Sequence, residues 1–123
     1  MKGLSKLFML TGVISVLIGM VWGIQMSATG DHTLSPAHAH LNLLGWVSMS
    51  IFAIYYHLIP AAAETVMAKV HAALAISGVV IVAPGIVMAI TERGETLAKL
   101  GSVLSLASML VFAVIVVTSS RRT

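Results

Sequence analysis

The run VMAKVHAALAISGVVIVAPGIVMAI, Val66 to Ile90, carries a single formally charged side chain, Lys69. It is longer than the ~20 residues that carry a helix across a ~30 Å hydrocarbon core. It also lacks the apolar–polar alternation of a barrel strand. Backbone groups in lipid must be satisfied within their own segment, so the run is expected to be a membrane helix. Three more runs of the same kind surround it, at about 7–28, 41–60 and 97–118. The reading is an all-α, four-span transmembrane bundle, one domain over residues 1–123.

Composition agrees. Of 123 residues, 59% are hydrophobic and 9% charged, and the mean hydropathy is +1.04. A soluble domain of this size needs far more charge to cover its surface. The connections TGDHTLSP, PAAAET and TERGET are short, which makes neighbouring spans antiparallel in an up-down order. Lys2, Lys6, Lys69, Arg121 and Arg122 fall on one side, against Arg93 and Lys99 on the other. This excess places both termini in the cytoplasm. The basic balance is thus topological and says nothing of nucleic acid. The first apolar run exceeds the ~7–15 residues of a signal-peptide core and lacks a clean A-x-A site, so an uncleaved first span is expected.

Cysteine is absent. Disulfides, thiolate metal sites, covalent c-type heme attachment and iron–sulfur clusters therefore drop out, and any redox or metal chemistry must rest on histidine. The eight methionines are scattered without a cluster and read as apolar filler. Gly19 and Gly23 form a G-x-x-x-G, with Gly12 before them. Ser102, Ser105 and Ser108 form a second small stripe, and both stripes suit close helix packing. Ser35 is placed to cap the second helix, Pro36 suits its first turn and Pro60 closes it. Pro84 should kink the third span.

Five histidines are the informative residues, because ionisable groups at membrane depth point to function. His38 and His40, in SPAHAHLNLLGW (35–46), stand two apart near the start of the second helix. At about 100° per residue their rings diverge by about 200°, so the pair should serve two partners and not one ion. His38 shares its face with Leu41, Asn42 and Gly45, where a glycine leaves room for a flat group. Asn42, Trp46 and Ser35 are candidate supporting residues. His32, beside Asp31, reads as solvated. His57 lies roughly 28 Å from His38 by helical rise and cannot share its metal. His57 and His71 could face each other near Glu64, with interfacial anchoring as the plainer reading for them and for Trp22, Tyr55 and Tyr56. The four acidic residues supply no triad or paired carboxylates.

The run HLNLLGW, with the YYHLIP that closes the helix, resembles the heme-bearing second helix of subunit I in the heme-copper oxidase superfamily. The nearest likeness is to the nitric oxide reductase branch. HAH resembles the His-x-His pair of a later helix there, whose two rings serve two hemes. The resemblance implies heme b as cofactor, with His40 in the ligand position and His38 as a second ligand. It covers about 25 residues well and the whole chain more vaguely as one four-helix arc of a twelve-helix subunit. A homotrimer follows as an expectation, each second helix giving His38 to one neighbour and His40 to the other. The further histidines of an oxygen- or nitric-oxide-reducing centre are missing, so the resemblance implies electron transfer, heme storage or sensing in a bacterial inner membrane. No catalytic residue is named. Two other classes compete: a copper- or zinc-handling protein using the outer histidines, and an accessory or assembly subunit whose histidines merely pack.

Overall fold

The computed structural model describes residues 1–119. Arg121 and Arg122, two of the cations behind the expected orientation, lie outside the described residues. Four helices long and apolar enough to cross a membrane form the molecule: α1 Gly3–Thr29, α2 Ser35–Leu58, α3 Val66–Ile90 and α4 Thr96–Ser119. No strand occurs among the described residues.

Local chemistry sets the helix ends. Gly30 takes φ 68° and returns its N–H to the Met26 carbonyl at 2.9 Å, closing α1 with a left-handed residue that glycine adopts without strain. Leu34 is the N-cap of α2 and no side chain caps it, so Ser35 is the first helical residue and not the expected cap. Pro36 does sit in the first turn. At the far end Ile59 leaves the helix at φ −123°, ψ 71°, as the residue before a proline is pushed to do. Pro60 then opens a separate turn, Pro60–Ala63. Thr65 caps α3 by accepting from the Ala68 N–H at 3.2 Å. Helix α3 runs on through Pro84. The middle of α2, Leu41–Ser48, is wound as a π-helix.

Small residues decide how the helices pair. On α1, Ser5 donates to the Ala53 carbonyl at 2.8 Å, and Ser15 fills the space a Cβ on Gly45 would need, 2.6 Å away. Gly12 meets Trp46 and Met49. The α1 glycines therefore pack within the chain, against α2. The α3–α4 contact is closer still. A Cβ on Gly101 would stand 2.5 Å from the Val82 nitrogen, and one on Gly85 would stand 2.5 Å from the Ala98 nitrogen. Ser105 abuts Gly78, and Ser108 is buried. Ser102 is exposed and leaves the predicted stripe. Without a hydrophobic drive between helices in lipid, such backbone approach is what supplies dispersion energy.

One ring cluster ties all four helices together. Phe8 of α1, Phe52 and Tyr56 of α2, His71 of α3 and Phe112 of α4 converge, with His71 at 4.4 Å from Phe52 and 5.1 Å from Phe112, centroid to centroid. Tyr56 and His71 are 1% and 0% exposed. Their Oη and Nδ1 share a hydrogen bond of 2.8 Å. The interfacial anchoring expected of these two is corrected: they are core. His71 lies on the inward register of α3, with Ala75, Gly78, Val82 and Gly85, small residues for the most part that admit rings from the other helices. Tyr55, half-buried, hydrogen-bonds Ser119 of α4.

Tyr56→Phe should destabilise the protein by about 1–3 kcal/mol, because it leaves His71 Nδ1 buried without a partner. Adding His71→Phe should recover most of that loss, since removing both polar partners is close to neutral where the shape is kept. Unfolding of the single and double variants in detergent measures both. Equal destabilisation by the single and double variants would mean that packing, not the hydrogen bond, dominates.

Candidate cofactor site on the second helix

The first two turns of α2 place His38 and His40 as the helical period requires, one ring toward α1 and the other outward. His38 Nε2 lies 2.9 Å from the Gly19 carbonyl of α1. A carbonyl only accepts, so Nε2 carries the proton of this ring. The Asn42 amide nitrogen, one turn on, stands 3.1 Å from the same Nε2, a contact between two N–H groups that becomes a hydrogen bond only with the amide oxygen turned to that place. Gly23 clears the other side: a Cβ there would stand 3.2 Å from Nε2. Trp22 meets the ring edge-on at 6.1 Å. The G-x-x-x-G of α1 is thus a notch that takes the His38 ring at Gly23 and the Asn42 amide at Gly19. Asn42 Oδ1 presses against Gly19, where no side chain fits, and is buried without a hydrogen-bond partner.

His40 is arranged differently. Its Nδ1 donates to the Pro36 carbonyl at 2.7 Å and the residue is exposed. In a neutral imidazole the other nitrogen, Nε2, then holds the lone pair. A ring pinned by one N–H on a backbone carbonyl, with its second nitrogen free, is the usual preparation of a metal-binding histidine. Along α2 beyond it, Leu43, Val47, Ile51 and Ile54 are 57%, 43%, 53% and 49% exposed. This is a continuous apolar stripe that ends in an available nitrogen.

The remaining candidates go elsewhere. Gly45 and Trp46 face α1, at Ser15 and Gly12, so the space expected beside Gly45 is taken by a side chain of the same chain. Ser35 is exposed and makes no side-chain bond to His38 or His40. His32 is exposed in the α1–α2 loop, its Nδ1 3.3 Å from the Gly30 carbonyl. Beside it the Thr33 hydroxyl and amide both donate to Asp31, at 2.6 and 3.0 Å, and hold that carboxyl below the usual range. His57 is exposed at the opposite end of α2, lining a hollow of about 520 Å³ with Lys2, Tyr56 and Glu64. It does not meet His71, which is enclosed by rings. No group of three or more histidine, aspartate or glutamate side chains gathers as a metal cage among the described residues. An apolar groove of about 630 Å³ separates α1 from α3, bounded by Ile14, Ile18, Trp22, Leu41, Val80 and Val87.

Sequence reasoning missed two features. The π winding of Leu41–Ser48 has no residue signature. The burial of His71 did have one, the four–three spacing of small residues that follows it. No family model, no curated protein and no solved structure matches the chain. The likeness to the heme-copper oxidase subunit therefore rests on the residues of α2 alone.

Proposed function

We propose that this is a b-type heme protein of a bacterial inner membrane, with both termini in the cytoplasm, serving electron transfer or an oxidase-related ancillary role. The observation that carries the reading is His40: exposed, with Nδ1 on the Pro36 carbonyl at 2.7 Å and Nε2 free. That donor set fits an axial ligand as it stands. Bound heme supplies one-electron redox chemistry. The chain's own part is to hold the proton on Nδ1, which fixes the ring and makes Nε2 a better donor. Leu43, Val47 and Ile51 keep water from the face beside it. His38 fits less directly, since its Nε2 is engaged at Gly19. In the homotrimer implied by the resemblance, where His38 serves a neighbour, the nitrogen left to do so is Nδ1.

The test is colour. Protein purified in detergent from heme-replete cells should show a sharp Soret band and split α and β bands on reduction, with protoheme recovered by extraction. A colourless protein that also fails to take up added hemin would overturn the reading. Stoichiometric copper or zinc in that colourless protein would favour the metal-handling alternative.

A further inference from the structure

Polar groups also meet where the α1–α2 pair abuts the α3–α4 pair. Ser105 of α4 lies against Gly78, near the middle of α3, where a Cβ would stand 2.8 Å from the serine Oγ. That oxygen is buried and has no hydrogen-bond partner among the described residues. Ser105 lines a cavity of about 20 Å³ together with Ser48 of α2 and Ser108 of α4, and Phe52, Ala75 and Val79 close it with carbon. Ser108 gives its hydroxyl hydrogen to the Ser105 carbonyl at 2.7 Å, which leaves its oxygen to accept. Ser48 is the last residue of the π-wound stretch and brings a third hydroxyl from the other helix pair.

We propose that this cavity binds one water molecule, held by Ser48, Ser105 and Ser108, which ties α2 to α4 inside the bilayer. The inference does not depend on the heme reading. Its first support is size, since room for a single water begins at about 10–15 Å³. The second is polarity. A buried water makes two to four hydrogen bonds, whereas a cavity that stays dry is lined by carbon alone. Here the Ser105 hydroxyl donates to the water, and the oxygens of Ser48 and Ser108 accept its two hydrogens. Left dry, the Ser105 hydroxyl would be an unpaired polar group removed from solvent, which costs stability. No charged side chain lines the cavity, so the charge that a buried cation needs beside it is missing. The π winding of α2 ends on this cavity, and such turns are frequent at functional sites. A serine stripe alone would call only for packing; the unpaired oxygen beside a water-sized space calls for a ligand.

The test uses full-length protein in lipid bilayers, with solid-state NMR transfer of magnetisation from water to carbon, and thermal unfolding in a single detergent. In the parent, the side-chain carbons of Ser48 and Ser105 should receive water signal. Leu106, exposed to lipid on the same helix, should receive none. Ser105→Ala should remove the signal at Ser48 and lower the unfolding temperature. Absence of water signal from both serines in the parent would overturn the site. A higher unfolding temperature for Ser105→Ala would overturn it as well, because deleting a dry, unpaired hydroxyl relieves a cost that a water-bound one does not carry. Should Ser105→Ala fail to fold, Ser48→Ala at a half-buried position reads the same transfer at Ser105, and retained signal there counts against the shared water.

Discussion

His40→Ala should abolish heme retention. Loss of an outer-shell hydrogen bond to a metal ligand already costs ~10–100-fold in affinity, and loss of the ligand itself should exceed that. The purified variant is expected to lack a Soret band while keeping its helical circular dichroism, because His40 is exposed and its one side-chain bond is to Pro36 of its own helix. Free imidazole added with hemin should restore part of the low-spin signal by filling the vacated position. His57→Ala, at the other end of α2, is the control and should leave the spectrum unchanged. A His40→Ala protein that retains its full heme content would sink the assignment.

Gly101→Val should be the most damaging single change to stability. The first added carbon would stand 2.5 Å from the Val82 nitrogen and 2.6 Å from its Cα. The obstacle is backbone, so no rotamer change relieves it, and α3 and α4 must separate. Overpacking of this kind typically costs about 1–3 kcal/mol, and a backbone clash belongs at the upper end. Ser102→Val, one residue on and exposed, should change stability by less than about 0.5 kcal/mol. Unfolding of both variants in the same micelle compares them. Equal stability would mean that the tight α3–α4 contact is not what holds this half of the bundle.

These two variants also separate what the chain discloses at different depths. Hydropathy and run length made the four spans legible, because an apolar segment in lipid has one way to satisfy its backbone. Helical period likewise made the divergence of His38 and His40 legible, and the small stripes announced close packing. Neither stripe said which neighbour would fill it. Gly19 receives the Asn42 amide and Gly23 the His38 ring, whereas Gly101 receives a backbone.

The amino-acid order alone therefore determined an all-helical membrane chain with imidazoles as its sole nitrogen donors of metal-ligand type. Tertiary contact decided how differently the imidazoles are held. His38 gives its Nε2 hydrogen to the Gly19 carbonyl, His71 is closed in by rings from the other three helices, and His40 stays exposed with Nδ1 on the Pro36 carbonyl. The physical reason is that a ring nitrogen's availability depends on what lies within 3 Å of it. Across helices, that is fixed by packing between residues far apart in sequence, which no local pattern encodes.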